Sequence, residues 1–338
     1  MKFFKPFLIV AFAFSINMSF AQDRGIPVYS DYLTDNYYLI HPSMAGASNS
    51  NKLRLTGRQQ WFDVDDAPSL QTLSMNSKLG TNTGIGGILF NDTNGRFSQQ
   101  GAYLTFAYHL MFSRSNIDLN QLSFGLSVGM VQEKLDETDL NSIDNPDPVI
   151  AGVTQSDSFF NVDFGMSYFY LDFFAHLTVK NLIPQQRQIF SEVFETDNQR
   201  QYLTSVGYNF SKLGSSWSFE PSVMLQLREE TRESNVDLNA KTYYTTSFGR
   251  LWGGISYRRT FDGAEYTNDG LGSVESQKLQ YVTPFIGINF EKLMFGYTYS
   301  YQANSVVMSN SGFHQITLGF NFGEDRKRYK CNCPAVNF

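Results

Sequence analysis

From about residue 52 onward the chain falls into segments of roughly 10 to 15 residues in which apolar and polar positions alternate with period two. In Gln315 to Phe322, the residues Ile316, Leu318, Phe320 and Phe322 share one face, and Gln315, Thr317, Gly319 and Asn321 share the other. Tyr202, Thr204, Val206, Tyr208 and Phe210 oppose Leu203, Ser205, Gly207 and Asn209 in the same way, and Leu122 to Met130 repeats the pattern. Successive side chains of a strand point to opposite faces, so each segment has one greasy face and one of Gly, Ser, Thr and Asn. The exposed face of a soluble sandwich usually carries Lys and Glu. Here the second face is small and uncharged, and the apolar face ends in Tyr, Phe and Trp. The pattern predicts an all-β fold: an antiparallel barrel in lipid, with an apolar outer band, aromatic girdles and a polar interior. Backbone groups in lipid must be paired internally, so the sheet must also close on itself.

The strands are expected at about 52–62, 67–79, 83–92, 98–112, 117–133, 159–170, 172–182, 201–211, 215–228, 236–248, 250–261, 279–290, 292–303 and 312–323. That is about 14, an even number, as in single-chain bacterial barrels. Even-to-odd connections are short: Gly80 to Asn82, Ser113 to Asn116, around Leu171, Ser211 to Gly214, around Gly249 and around Glu291. Odd-to-even connections are mostly long and polar: 134–158, 183–200, 229–235, 262–278 and 304–311. Short turns face the periplasm and long loops the exterior, which sets both termini on the periplasmic side.

Composition and charge narrow the choice further. Among 338 residues, 17% are charged and 16% aromatic, against about 25% charged in an ordinary soluble domain. A net charge of −6 offers no basic face for nucleic acid. Beyond residue 21 no run of about 18 apolar residues occurs, which excludes a helical membrane bundle. Lys2 and Lys5, the apolar stretch Phe7 to Phe14 and the small residue Ala21 read as a signal peptide over 1–21. Residues 22–51 lack sustained alternation and read as a plug or a periplasmic segment. The barrel is expected over 52–323, in the outer membrane of a Gram-negative cell, and 324–338 form a basic periplasmic tail.

Candidate chemistry is sparse. His41, His109, His176 and His314 lie on separate segments without metal-ligand spacing. His109 and His176 fall on lumen faces, where a neutral, hydrogen-bonded imidazole is the simplest reading. Cys331 and Cys333 are too close for a Cys-x-x-Cys redox motif, leaving a partner cysteine elsewhere, a metal or free thiols open. Gly84-Ile85-Gly86-Gly87 lacks the phosphate-loop and dinucleotide patterns and reads as close packing in a strand or a place where something sits near the wall. No catalytic constellation, cofactor or metal is implied, and the protein is not expected to be an enzyme. Arg54, Thr56, Arg58 and Gln60 share one face of the first strand. Arginine facing mid-membrane costs roughly 2–4 kcal/mol, so they are expected to face the lumen and meet acids such as Asp163, or polar groups of the N-terminal segment.

These residues also carry a family resemblance. His41-Pro42-Ser43-Met44-Ala45-Gly46 resembles the Asn-Pro-Ala-x-Ala-Gly motif of the PorP/SprF outer-membrane proteins of type IX secretion and gliding motility. Arg58-Gln59-Gln60-Trp61, Ala67-Pro68-Ser69-Leu70-Gln71-Thr72, and Gly86-Gly87 followed by Asn91-Asp92-Thr93-Asn94-Gly95 are similar to further family motifs in the same order. Tyr297 to Ser300, His314 to Leu318 and Cys333-Pro334 resemble its closing elements. The chain departs from the pattern in having His41 for Asn, Ser43 for Ala and an additional Cys331. The resemblance implies a non-enzymatic barrel paired with a large secreted adhesin, whose C-terminal signal domain needs it for secretion or surface retention. It also implies contact with other secretion components, either the outer-membrane translocon or periplasmic peptidoglycan-associated subunits. The long loops offer surface for the adhesin, and Arg326, Lys327, Arg328 and Lys330 would project toward a periplasmic subunit. A passive porin for small solutes is the alternative, with a channel lined by Arg54 and Arg58.

Overall fold

In a computed structural model the alternating segments form fourteen antiparallel strands around a closed ring. The structure describes residues 36–60, 66–113, 118–138, 152–185, 189, 198–212, 214–267, 274–303 and 312–323, with backbone only in 263–267 and 274–277. The first seven strands are β1 (Asn51–Gln60), β2 (Ser69–Lys78), β3 (Thr83–Asn94), β4 (Phe97–Met111), β5 (Asn120–Asp136), β6 (Thr154–Tyr170) and β7 (Phe173–Lys180). Then come β8 (Gln201–Tyr208, resuming as Phe210–Ser211), β9 (Trp217–Arg228), β10 (Ser234–Thr245) and β11 (Arg250–Thr267). The last are β12 (Val274–Phe290), β13 (Leu293–Gln302) and β14 (Phe313–Phe322). Each pairs with its neighbours in sequence, and β14 returns to β1 with Leu55 opposite Leu318 and Thr56 opposite Thr317. Closure leaves no sheet edge, as hydrocarbon surroundings require.

The period-two pattern sorts the side chains as the sequence suggests. Outward positions are apolar and bare, with Leu104 75% exposed, Ile286 62% and Phe160 60%. Their inward neighbours are buried and polar, including Arg54, Thr105, His109, Asn161 and Thr317. So large an apolar exterior is sustainable only against lipid. Tyr208, Phe210, Trp217 and Phe219 crowd the outer face at the short-turn end, as in an aromatic girdle. The turns there are tight: Leu171 at φ 53° and Glu291 at φ 49° adopt the left-handed conformation that two-residue hairpins demand. No helix among the described residues is long and apolar enough to cross a membrane.

The sequence misplaces the boundaries at the loop end. It expects loops over 134–158 and 262–278, whereas β5 continues to Asp136, β6 begins at Thr154, β11 runs to Thr267 and β12 begins at Val274. The ladders persist there, with Glu133 opposite Asp157 and Lys134 opposite Ser156. Above the apolar band the outward positions are themselves polar, as at Gln132, Lys134, Ser156 and Ser158. The apolar-polar alternation therefore stops before the hydrogen bonding does. A second difference is the β3–β4 connection, which is only Gly95-Arg96 although it lies at the loop end.

Candidate functional site in the barrel lumen

Residues 36–50 lie inside the barrel. Two 3-10 turns, Tyr37–Leu39 and Pro42–Met44, give the segment its shape, and Pro42 opens the second turn, where its fixed φ and missing N–H are tolerated. Tyr37, Tyr38, Leu39, Ile40, His41, Met44 and Ala45 are all buried. They form one core with wall residues Phe90, Tyr103, Phe169 and Phe174.

Polar contacts tie this plug to successive strands. Asn36 Nδ2 donates to Ser74 Oγ at 2.9 Å, and the Gly46 N–H donates to Asn76 Oδ1 at 3.2 Å, both on β2. On β4, Tyr38 Oη donates to Thr105 Oγ1 at 2.7 Å, and His109 Nε2 meets the Ala45 carbonyl at 3.0 Å. Ser43 bonds Ser167 of β6. The His41 ring places Nδ1 2.9 Å from Thr178 of β7 and Nε2 3.3 Å from Ser205 of β8. It stacks on His176 with ring centroids 4.4 Å apart, and His176 Nδ1 is 2.6 Å from Ser167. The contacts are those of polar groups satisfying each other away from water, as buried polar groups must.

The small lumen face of the wall strands now has a physical reason. A Cβ at Gly84 would stand 2.0 Å from the Ala45 carbonyl oxygen, one at Gly86 2.3 Å from Tyr38 Oη, and one at Gly125 2.3 Å from the Pro42 backbone. Only hydrogen fits in those places. Gly87, one residue on, faces outward, and its Cβ would meet nothing closer than 3.7 Å.

Arg54 is 1% exposed and donates from Nη2 to Asn321 Oδ1 at 2.8 Å and from Nη1 to the Leu53 carbonyl at 3.0 Å. Arg58 is buried with its guanidinium 4.6 Å from the Phe313 ring centre. Gln60 is half-buried, and its N–H donates to the Pro68 carbonyl. Asp163 is buried on β6, where it accepts the Asn181 N–H at 2.9 Å. On β10 and β11, Lys241 lies 4.5 Å from Trp252 and 4.9 Å from Tyr243, and Arg258 grips Asp237 through two bonds of 2.6 and 2.8 Å. At the top of β5, Asp136 accepts the hydroxyl and N–H of Thr138, which hold its carboxyl below the usual carboxylate range. Trp61, Arg326, Lys327, Arg328, Lys330, Cys331, Cys333 and Pro334 lie outside the described residues.

Sequence reading singled out Gly84 within its glycine run as a place of close approach, but not Gly125 or the role of His41. The signal was available in the Gly and Ser positions that recur on one face of β3 and β5, which only a tenant inside the barrel explains.

A closed antiparallel barrel with an apolar exterior, a polar interior and a segment of its own chain packed in the lumen is an outer-membrane protein of the multi-pass type. A family model described as "Type IX secretion system membrane protein PorP/SprF" matches residues 21–320. The chain therefore belongs to the PorP/SprF family. No curated protein matches it in sequence. Among solved structures it is similar to the TodX deltaS2S3 mutant monoaromatic hydrocarbon channel (11% identity, 85% of this chain and 93% of that one, TM-score 0.48). It is also similar to the CymD monoaromatic hydrocarbon channel (8% identity, 87% and 92%, TM-score 0.47). A third likeness is to BamA from Haemophilus ducreyi lacking POTRA domains 1–3 (10% identity, 81% and 70%, TM-score 0.41).

Proposed function

We propose that this protein is a non-enzymatic accessory barrel of type IX secretion, needed to secrete a large partner adhesin or hold it at the cell surface through the adhesin's C-terminal signal domain. The observation that carries this reading is the plugged lumen. A barrel that hydrogen-bonds part of its own chain to strand after strand of its inner wall is built as a rigid platform for a partner. A porin, by contrast, needs a continuous water-filled path. Membership of a secretion family supports the same direction.

In this reading Pro42, Ala45, Gly46 and Gly86 seat the plug. Arg54, Arg58, Gln60 and Asp163 stiffen the wall around it. The extended β5–β6 and β11–β12 ladders carry the loops that hold the adhesin, and the basic tail docks a periplasmic or translocon subunit of the machine.

The test is an affinity pull-down of the detergent-solubilised protein from its native envelope, with bound chains identified by mass spectrometry. Stoichiometric recovery of a large surface protein or secretion subunits is expected. Replacing residues 139–151 by a short Gly-Ser linker should then abolish adhesin recovery while the barrel still inserts. Recovery of the barrel alone, together with ion conductance in planar bilayers, would make it a small-solute porin instead.

A further inference from the structure

The outward face of the wall is not equally apolar all round. On β5 and β6 the apolar positions continue up to Met130 and Phe160. For strands rising ~3.3 Å per residue at a tilt of ~40°, that is about 25 Å above the short-turn ends at Asn120 and Tyr170. On β1, β2 and β3 they stop at Leu55, Leu73 and Leu89, only about 10–15 Å above the short-turn ends of those strands.

Above them three carboxamides point outward on adjacent strands. Gln59, Gln71 and Asn91 stand about 18–20 Å above the strand ends, a height at which β5 and β6 present Val128 and Val162. Gln59 and Gln71 are exposed, Asn91 is the register partner of Gln71, and Asn91 Oδ1 has no hydrogen-bond partner. These amides lie inside an apolar layer about 25 Å tall, where lipid offers neither donor nor acceptor. Among the described outward positions of β1 to β3 none is charged. The strip is also flat beside the amides, since a Cβ at Gly57, opposite Gln71, would meet nothing within 4 Å.

We infer that this strip is the contact face of a homodimer, its occupant being the β1–β3 strip of a second copy. An apolar stretch shorter than the bilayer is relieved by thinning, by snorkelling or by association. Two copies inserted in the same direction can share a two-fold axis only along the membrane normal, so each residue meets residues at its own height. Carboxamide then meets carboxamide. Each carries both donors and an acceptor, so the row is complementary to itself. A row of Lys or Glu would repel its copy, and this strip has neither. The inference rests on the membrane placement and not on the secretion reading.

Cross-linking in native outer-membrane vesicles is the first arm. With Cys331 and Cys333 replaced by Ser, Leu73→Cys should be joined into a dimer of this chain by a short bis-maleimide. Leu225→Cys, outward on β9 half a turn of the barrel away, should not. The second arm counts photobleaching steps of copies labelled at Leu225→Cys and diluted in liposomes. The dimer fraction should rise with acyl-chain length. The double variant Gln71→Leu/Asn91→Leu should need about ten-fold higher protein-to-lipid ratio for half association, equivalent to ~1.4 kcal/mol. Heat-modifiable gel mobility verifies that each variant is folded, and the cross-linking arm does not depend on the leucine variants. Single copies at every density would overturn the proposal and leave the strip against thinned lipid. Cross-linking of Leu73→Cys only to a different envelope protein would overturn it as well, as would a dimer that the leucine variants leave unchanged.

Discussion

Gly86 and Gly87 are adjacent in β3 and point to opposite sides of the wall, which makes them a matched pair for testing the plug. Alanine at 86 would set a methyl 2.3 Å from Tyr38 Oη and 3.1 Å from the Met75 carbonyl oxygen, whereas alanine at 87 meets nothing inside 3.7 Å. Tyr38 would have to swing off Gly86 and give up its 2.7 Å bond to Thr105, whose hydroxyl also bonds Ser127 at 2.6 Å. Overpacking of a filled interior costs typically 1–3 kcal/mol, and the lost hydrogen bond adds about 0.5–1.5 kcal/mol. Nearly all of that cost falls on plug docking and little on the barrel ladder. At about 1.4 kcal/mol per decade, the undocked population should rise by roughly ten- to thousand-fold. The readout is maleimide labelling of Ser43→Cys, a fully buried position, with Cys331 and Cys333 replaced by Ser. Gly86→Ala should label ten-fold faster or more, and Gly87→Ala at the parent rate. Gly125→Ala should be more severe than Gly86→Ala, because it strikes the Pro42 backbone, which has no rotamer to change. Equal rates for the 86 and 87 variants would refute the view that glycine is present on this face to admit the plug.

Other outcomes can be checked on the same preparation. Arg258→Gln should lower barrel stability by roughly 3–5 kcal/mol, because it strands the fully buried Asp237 carboxylate. Adding Asp237→Asn should recover part of that loss in urea unfolding followed by tryptophan fluorescence. Leu104→Arg puts a charge on the lipid face in the middle of β4 and should cost about 2–4 kcal/mol in folding into liposomes. Removing residues 36–47 should raise single-channel conductance well above that of the parent chain, since their side chains occupy the lumen. No change in conductance would mean that the passage is closed elsewhere.

The strand positions and their inward and outward faces were legible because hydrocarbon on one side and a polar lumen on the other impose a strict period of two. Gln315, Thr317, Gly319 and Asn321 face in and Ile316, Leu318 and Phe320 face out for that reason alone. The ladders above the membrane were not legible, since polar residues on the outward face as well as the inward one erase the pattern around Glu133 and Asp157. The tenancy of the lumen was only half legible. Arg54 and Arg58 announced a polar interior through the cost of the alternative. What fills that interior depends on pairings across large sequence separations, such as His41 with Thr178 and Ser205. No local periodicity encodes them.

The plug leads directly into β1, the same strand that meets β14 to close the ring. Its hydrogen bonds reach β2, β4, β6, β7 and β8, and Tyr37 also bonds Glu220 of β9. In chain order these strands all precede the last one, whereas the seam between β1 and β14 joins residues from opposite ends of the barrel. Such a long-range closure is the slowest kind of contact to form. The fold accordingly favours an assembly sequence in which an open half-barrel gathers its plug while the lumen is still accessible from the side. The seam then zips last, and the plug is held by topology as well as by affinity.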